Sequence, residues 1–453
     1  MYLGLDIGAS YCKAVLVNSE ERVVSSERTR MPPFKRSNSK TSTIYEVDIH
    51  KITDIVISLT KRIAQKATYI DAIGISGQMH GILFVDKERV PLSDFVSWQD
   101  QRTTETMLDE QLSYLDYLAQ RLSNCRAVTG SALRSGMLGP LIFWWKTNGY
   151  IDQKHHKVSF LSDYLGSLLT NTEIVCDPTQ ASGSGVYNLI DKRWLEEFLE
   201  VAQVSEDLLP DVVETGTIIG GISNSIASSV GITQGTPVCV STGDYQAALF
   251  ASGIDTNHLS INIGTGAQVS LLTITPDFSD IYETRPFFDG YYTKCIPGLP
   301  GGRAIALFES FVDRTVRMFS DHLGQYEILG SLDEACAQHF RKTDMVCDPH
   351  FFDFGNGFYK PGFSQIGYHN FRIEEMYQAL LESLVRAYHE AFDVLRSAGS
   401  QPKDIEIILS GGVAQKSSLL PRVLEGVFGF PVTVPKYEED AAIGAARVAM
   451  KYG

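Results

Sequence analysis

Hydrophobic residues are arranged in nearly the same way at two places in the chain. Residues 3–17 and residues 259–272 each contain an apolar strand, a short turn of glycine and hydroxyl residues, and a second apolar strand. Such a turn directs successive backbone N–H groups and a hydroxyl into one concavity, which suits phosphate oxygens. Most glycine-rich hairpins are only structural, but this repetition predicts two similar domains that bind one polyphosphate from opposite sides.

Other stretches show the spacing of helices and strands in both halves of the chain. Apolar residues recur at helical spacing over 49–68 and, most clearly, over 371–396, where Gly399 is predicted to end the helix. Further strands are predicted over 70–76, 81–85, 236–240, 405–409 and 431–435. Further helices are predicted directly after Asp100 on the surface, directly after Gly412, and over 440–450, where small residues allow close packing. This mixture predicts an α/β protein.

Length, charge and cysteine content narrow the class of protein. A chain of 453 residues exceeds one ordinary core, so we expect two domains, residues 1–243 and 244–453. The formal net charge of −15 argues against a basic surface for nucleic acid. No apolar run reaches the roughly 18 residues of a membrane span, and the N-terminus lacks the features of a signal peptide. From the charge and the lack of a span we expect no nucleic-acid or membrane partner. The seven scattered cysteines include no Cys-x-x-Cys pair, which indicates reduced thiols in a cytoplasmic protein.

Two aspartates lie beside glycines at the ends of predicted strands. Asp6 ends the first strand, and Asp244 follows Gly243 after the strand over 236–240. A strand end fixes a carboxylate, and a neighbouring glycine lets a substrate approach, so either residue could bind magnesium or act as a general base. A purely structural role in capping a turn is equally common. Lys13, in the second strand of the hairpin, is more typical of a solvent-exposed position than of a phosphate contact.

Two polar segments are suited to a polyhydroxylated ligand. Gln78, Met79 and His80 stand between two glycines in a turn, and Trp98 stands just before Asp100. A flat apolar wall with fixed polar contacts is a common way to bind a sugar. The alternatives are a structural histidine and a half-buried tryptophan at a helix start, with Asp100 as the N-terminal acid. A third segment, Ser410-Gly411-Gly412, could let a base or ribose lie against the backbone, and no Walker loop occurs.

In this order and spacing, the segments resemble the FGGY carbohydrate kinases over nearly the whole chain. The resemblance is carried by Asp6-Ile7-Gly8-Ala9-Ser10 with Lys13, by Gly243–Ala248, by Gly264-Thr265-Gly266, and by Ser410-Gly411-Gly412 with residues 440–446. It implies two ribonuclease-H-like domains of the actin-like ATPase type with a cleft between them. The sugar site and the first phosphate loop would belong to the first domain, and the nucleotide site to the second.

The resemblance also implies a role for each matched residue. Asp244 would be the catalytic base, and ATP and Mg²⁺ would be bound, the metal near Asp6 and Asp244. The substrate-binding residues would be Gln78, Met79, His80, Trp98, Asp100, Asp244 and Gln246. The nucleotide-binding residues would be Gly8, Ala9, Ser10, Lys13, Gly264, Thr265, Gly266, Gly411, Gly412 and Ala414. Ala9 departs from the hydroxyl residue of many relatives, so one phosphate contact is missing or is made by a backbone N–H.

The implied reaction is transfer of the γ-phosphoryl group of ATP to a primary hydroxyl of a ketose. Gln78-Met79-His80 is similar to the xylulokinase and sedoheptulokinase branches, whereas Trp98-Gln99-Asp100, Gly-Asp-x-Gln and residues 300–308 resemble the sedoheptulokinases. We expect sedoheptulose as the substrate, with xylulose as the alternative, and a monomer or homodimer. A kinase for sugar acids and a non-catalytic or chaperone-like ATP-binding protein of the same superfold stay open.

Overall fold

The computed structural model describes residues 1–38, 43–108, 110–152, 156–319, 328–339, 343–352, 360–397, 405–436 and 440–453. The strands before residue 244 are β1 (Tyr2–Ile7), β2 (Tyr11–Val17), β3 (Val23–Arg30), β4 (Lys35–Asn38), β5 (Thr43–Val47), β6 (Ala72–Gly77), β7 (Leu83–Asp86), β8 (Phe95–Val96), β9 (His156–Ser159), β10 (Val175–Cys176), β11 (Tyr187–Asn188), β12 (Arg193–Trp194), β13 (Asp211–Val212), β14 (Ile218–Gly221), β15 (Pro237–Cys239) and β16 (Thr242–Gly243).

The strands after residue 244 are β17 (His258–Ile263), β18 (Ala267–Thr273), β19 (Glu283–Pro286), β20 (Tyr292–Leu299), β21 (Val346–Asp348), β22 (Gly362–Ser364), β23 (Glu406–Ser410) and β24 (Val432–Thr433). The α-helices are α1 (Ile49–Ala64), α2 (Tyr114–Arg121), α3 (Arg126–Thr129), α4 (Leu138–Thr147), α5 (Leu161–Thr170), α6 (Pro178–Ser182), α7 (Glu196–Ala202), α8 (Asn224–Val230), α9 (Asp244–Ala251), α10 (Gly302–Arg317), α11 (Ile328–His339), α12 (Ile373–Ser397), α13 (Leu420–Phe428) and α14 (Asp440–Tyr452).

The first domain is built on a mixed sheet in the order β14-β15-β6-β1-β2-β3, with β16 also paired to β6. Strand β1 is antiparallel to β2, with Leu5 opposite Ala14, and parallel to β6, with Leu5 opposite Ile75. Its apolar side chains Leu3, Leu5 and Ile7 are fully buried. Because β1 lies at the centre of the sheet with a strand on either side, it is buried, and its sequence is accordingly almost entirely apolar.

The second domain repeats this arrangement with different strands. Its sheet has the order β19-β20-β18-β17-β23-β24. Strand β17 is antiparallel to β18, with Ile261 opposite Val269, and parallel to β23, with Ile261 opposite Leu409. Each domain thus places a hairpin beside a parallel strand at the centre of its sheet, which confirms the predicted α/β fold of two similar domains. The boundary between residues 243 and 244 stays a prediction.

Most of the predicted elements are present, and two are wrong. Helices α1, α12 and α14 confirm the helical periodicities, although the end signal Gly399 lies outside the described residues. No helix follows Asp100 directly, because only a single 3-10 turn forms at Arg102–Thr104 and Arg102 is buried. The helix expected after Gly412 begins only at Leu420. Within the part of the chain that the structure describes, no helix is both long and apolar enough to cross a membrane.

Helix α14 joins the two domains through close backbone packing. It lies on β1 and β6 of the first domain and also packs on α9. A Cβ atom at Gly4 would overlap the backbone of Ala442, and one at Gly74 would overlap the backbone of Ala445. Gly444 lies equally close to the backbone of Ala247 in α9. The small residues expected in this helix are therefore required by how closely α14 approaches the first sheet.

Candidate active site

The first phosphate turn connects β1 to β2. Gly8 N–H donates to the Tyr11 carbonyl oxygen over 3.2 Å, and a Cβ atom at Gly8 would lie 2.9 Å from that oxygen. Ala9 is half-buried and Ser10 is exposed at the tip. Lys13 follows in β2, opposite Asp6, and lines a cavity between the domains together with Asp6. Lys13 is half-buried at this cavity, a position that allows the phosphate contact implied by the resemblance.

The second turn, between β17 and β18, rests on the start of α10. The carbonyl oxygens of Gly264 and Thr265 accept hydrogen bonds from Gly302 N–H and Arg303 N–H, both over 2.9 Å. Thr265 and Gly266 are exposed. Because the carbonyl groups are occupied by α10, the turn can offer its own N–H groups and the Thr265 hydroxyl to a ligand.

A cavity of about 360 Å³ lies between the two hairpins. It is lined by residues of both domains, including Asp6, Lys13, Asp244, Asn262, Gln268, Ser410 and Gly411. Asn262 and Gln268 flank the second turn, and Asn262 donates through Nδ2 to Ser410 Oγ over 2.8 Å. The cavity therefore brings together Asp6, Asp244 and Lys13, whereas the residues of the two predicted phosphate turns, 8–10 and 264–266, are not part of its lining.

The two aspartates in this cavity have unusual protonation equilibria. Burial raises the pKa of Asp6 to about 6, although the charge of Lys13 and a hydrogen bond of 3.2 Å from Ser76 Oγ both lower this pKa. Burial, and after it the negative charge of Asp6, raises the pKa of Asp244 to about 7. Asp244 is the first residue of α9, and its Oδ1 accepts from Tyr245 N–H over 2.8 Å. A pKa near neutrality suits a group that must accept a proton.

A second cavity of about 790 Å³ extends along the second domain. It is lined by Glu309 and Asp313 of α10, by Gly330 of α11, and by Gln415 and Lys416 after β23, together with other residues of the same segments. Gly411, which lines the cavity between the hairpins, has a left-handed φ of 97°, and a Cβ atom at Gly412 would meet nothing within 4 Å. The backbone at Gly412 is therefore open to approach, and its role in binding a base or ribose stays a prediction.

Ala414 does not line this cavity. It is 4% exposed and belongs to the hydrophobic core of the second domain, so we correct its expected role as a nucleotide contact. Gln415 and Lys416, which no motif singled out, line the cavity in its place. The turn over residues 412–416 explains the difference, because without a helix there the side chains do not follow helical spacing.

Gln78, Met79 and His80 lie in the connection from β6 to β7. The His80 Nδ1 atom is 2.6 Å from the carbonyl oxygen of Gly183, so Nδ1 carries the proton and Nε2 is the free acceptor. Burial lowers the pKa of His80 to about 4, which keeps the ring neutral. Gln78 is 6% exposed, and its Oε1 atom has no hydrogen-bond partner among the described residues. Met79 is buried beside Gly183 and Gly243, where it supports the turn.

Trp98 and Asp100 have different surroundings, although they are two residues apart. The Trp98 side chain is exposed, which suits the predicted apolar wall. Asp100 is fully buried, and its carboxylate accepts from Tyr45 N–H over 2.9 Å and from Arg102 Nε over 2.8 Å. We therefore correct the predicted role of Asp100: it holds the loop that carries Trp98, and its carboxylate is already occupied by protein donors.

Gln246 lies in the first turn of α9, one position after Tyr245. It is fully buried, and its Nε2 donates to the Pro286 carbonyl oxygen over 3.3 Å. Its Oε1 atom has no partner among the described residues. Like Gln78, it offers an unsatisfied acceptor, which a sugar hydroxyl could satisfy.

Three charged residues next to this site carry no sequence motif. Glu283 and Arg285 lie in β19, and Arg134 lies in the loop before α4. Both arginines form ion pairs with the Glu283 carboxylate, which is 2% exposed. Only the alternation of charge in residues 283–285 hinted at them, and that pattern is equally typical of a solvent-exposed strand.

Two family models match separate parts of the chain. The N-terminal domain of the FGGY family of carbohydrate kinases matches residues 1–251, and the C-terminal domain of that family matches residues 304–452. The chain belongs to the FGGY family of carbohydrate kinases. As an FGGY kinase it is an enzyme that phosphorylates sugars, with ATP as the family's phosphoryl donor, which disfavours the non-catalytic alternative.

Two curated FGGY relatives illustrate the range of substrates. The chain is 25% identical to a probable L-xylulose kinase of Haemophilus influenzae, and the match covers 99% of this chain and 90% of that protein. It is 23% identical to the sedoheptulokinase of Mus musculus, and here the match covers 99% of this chain and 97% of that protein.

Solved FGGY kinases share the fold. The xylulose kinase of Rhodospirillum rubrum superimposes with a TM-score of 0.83 at 20% identity, covering 99% of this chain and 89% of that one. The glycerol kinase of Plasmodium falciparum with ADP gives a TM-score of 0.79 at 18% identity, covering 99% and 88%. At this level of identity the likeness shows the fold and leaves the substrate undecided.

Proposed function

We propose that the enzyme transfers the γ-phosphoryl group of ATP to a primary hydroxyl of a ketose, with sedoheptulose as the preferred acceptor and sedoheptulose 7-phosphate as the product. The observation that carries the proposal is the position of Asp244. Its buried carboxylate, with a pKa of about 7, lies in the cavity that Lys13 and the flanks of the second phosphate turn also line.

The chain's own residues are suited to in-line phosphoryl transfer. Asp244 accepts the proton of the attacking hydroxyl through its carboxylate, and Lys13 and the N–H groups of the two turns offset charge on the phosphates. Neutral His80 presents Nε2 as an acceptor for a sugar hydroxyl, and the Gln78 Oε1 atom offers another. Because the two turns belong to different domains, closure of the cleft would bring them together and exclude water.

The donor set near Asp6 and Asp244 fits Mg²⁺. The negative charge of Asp6 raises the pKa of Asp244, and a divalent cation held by these two carboxylates would offset that charge. When bound, the metal supplies charge neutralisation on the phosphates.

The charges around the sugar site favour a neutral acceptor. Arg134 and Arg285 are positive, whereas Glu283 and ionised Asp244 are negative, so their charges cancel. A sugar acid would add an unbalanced negative charge, which makes the sugar-acid alternative less favourable.

Sedoheptulose is preferred to xylulose on two grounds. The segment Trp98-Gln99-Asp100 resembles the sedoheptulokinases, and the chain aligns with 97% of the mouse sedoheptulokinase but with 90% of the Haemophilus L-xylulose kinase. Xylulose is the second candidate, because most of the most similar curated relatives are named xylulose kinases.

The proposal is tested by measuring ADP release from Mg-ATP with sedoheptulose, D-xylulose, L-xylulose, glycerol and gluconate, each supplied separately. We expect the highest kcat/KM with sedoheptulose and almost no release without a sugar. A preference for a xylulose would retain the mechanism and replace the acceptor. Preference for gluconate or glycerol would contradict the ketose assignment.

A further inference from the structure

One buried carboxylate holds arginines from both domains. Glu283 Oε2 accepts from Arg285 Nε over 3.0 Å and from Arg285 Nη2 over 2.5 Å, while Glu283 Oε1 accepts from Arg134 Nη2. Burial alone would raise the pKa of Glu283, but the two guanidinium groups hold that pKa below its ordinary value. Glu283 is therefore an ionised anchor at the sugar end of the cleft.

The second domain fixes Arg285 beside the catalytic segment. The guanidinium carbon of Arg285 lies 4.8 Å from the centre of the Tyr245 ring, and Tyr245 directly follows Asp244. The next residue in β19, Pro286, accepts the hydrogen bond from Gln246 Nε2. The Tyr245 hydroxyl is itself held by Ser270 Oγ over 2.9 Å. Arg285 is thus tied to the first turn of α9 from two sides.

Arg285 retains hydrogen-bonding capacity that the described residues of the protein do not use. A guanidinium group has five N–H donors, and Glu283 occupies one on Nε and one on Nη2. Within the described residues no acceptor contacts Nη1, and 12% of the side chain is exposed. A buried, preorganised cation with free donors beside a catalytic base is a good hydrogen-bond donor for oxygen atoms of a substrate.

We propose that Arg285 is a substrate-binding residue that donates from Nη1 to an oxygen of the acceptor sugar next to the hydroxyl being phosphorylated, and that Glu283 is the positioning residue that orients it. The proposal rests on the proposed sugar kinase activity and extends it, because it adds a cationic hydrogen-bond donor from β19 to the acceptor atoms of Gln78, His80 and Gln246. Arg134, from the first domain, then links acceptor binding to the relative position of the two domains.

The test compares Arg285→Met with the wild-type enzyme on the best acceptor and on its monodeoxy analogues. Loss of a hydrogen bond from a charged donor should lower kcat/KM for the sugar by about tenfold to a hundredfold, with KM for ATP unchanged. One deoxy analogue should be a poor substrate for the wild type. Arg285→Met should use that analogue and the full sugar with equal kcat/KM. If the variant discriminates among the analogues as the wild type does, Arg285 does not bind the acceptor.

Two further variants separate sugar binding from stability. Arg126→Met removes a donor to the Ser279 carbonyl at the same domain interface, 3.0 Å away, and should leave kcat/KM unchanged. Glu283→Gln retains the shape and weakens only the orientation of Arg285, so its loss should be smaller and confined to KM for the sugar. If Arg285→Met fails to fold, Glu283→Gln carries the test, and an increase in its KM for ATP equal to that for the sugar would overturn the proposal.

The acceptor screen on the wild type keeps the two proposals distinct. The Arg285 comparison uses whichever acceptor the wild type prefers, so a failure of the ketose assignment does not decide the role of Arg285. Conversely, unchanged kinetics in Arg285→Met would overturn the role of Arg285 without contradicting the proposed sugar kinase activity.

Discussion

Asp6 and Asp244, which are 238 positions apart in the sequence, line the same cavity, and the charge of Asp6 adds to burial in raising the pKa of Asp244 to about 7. The negative charge of Asp6 thus makes Asp244 more costly to ionise in the free enzyme. This coupling makes Asp244 basic enough to accept a proton near neutral pH, and it also leads to measurable effects of pH and of substitution.

Asp244→Asn should lower kcat by at least about a hundredfold, because the amide retains the shape but cannot accept the proton. Steady-state ADP release with saturating ATP and sugar measures the effect. Asp54→Asn, on the exposed side of α1, makes the same chemical change away from the cleft and should leave kcat unchanged. Near-normal turnover by Asp244→Asn would show that another group accepts the proton.

The pH profile should report the ionisation of Asp244. Because the base must be ionised, kcat/KM for the sugar should fall as the pH decreases through about 7. His80 should not contribute near neutrality, since burial lowers its pKa to about 4. In Asp6→Asn the repulsion is removed, so the acid limb of the residual activity should move to lower pH. An unmoved limb would mean that Asp6 does not act on the titrating group.

The raised pKa of Asp244 also predicts that ionised Asp244 lowers the free energy of unfolding. Asp244 binds its proton more tightly in the folded chain than at the ordinary value of 3.8, so its contribution to stability is present below about pH 4 and is lost as the pH rises through 7. Asp244→Asn, which never carries this charge, should therefore be more stable than the wild type by about 1 to 3 kcal/mol at pH 8 and by little at pH 4. Thermal melting at the two pH values measures the difference in stability between the variant and the wild type. A variant that is less stable than the wild type at pH 8 would contradict the prediction.

The contact of α14 with the first sheet should tolerate no added methyl group. Gly74→Ala places a Cβ atom on the backbone of Ala445, so the free energy of unfolding should fall by about 1 to 3 kcal/mol. Gly426→Ala in α13 is the matched control, because nothing lies within 4 Å of the new methyl group. That variant should be as stable as the wild type or slightly more stable, by up to about 1 kcal/mol, since alanine favours helix over glycine. Equal melting temperatures for both variants would show that the contact adapts.

The sequence predicts the parts of this molecule that depend on local patterns. The two hairpins, α1, α12 and α14 follow from periodicity, because each buries one continuous apolar face or run. The direction of individual side chains is different, since it depends on packing that is distant in sequence. Asp100 illustrates this: its neighbour Trp98 faces the outside, while its own carboxylate points inward to Arg102, which lies 5.2 Å from the Trp144 ring.

The residues that the sequence could not reveal lie far from any motif. Arg285 is 41 positions after Asp244 and is brought beside it only because β19 is the edge strand of the second sheet. Arg134, from the first domain, donates to the Glu283 carboxylate that also holds Arg285. Ala414 shows the converse error, because it lies next to a matched motif and yet faces the core.

The packing of α14 also affects the order in which the chain can fold during synthesis. The ribosome makes β1 and β6 early, but the surface around Gly4 and Gly74 remains uncovered until residues 440–452 emerge. Nascent chains therefore carry an exposed, glycine-lined sheet face through most of translation. The first domain cannot reach its final packing until the C-terminal helix has been synthesised. Truncation just before residue 440 should consequently destabilise the sheet of the first domain, which is synthesised first, more than the segments that directly precede the truncation.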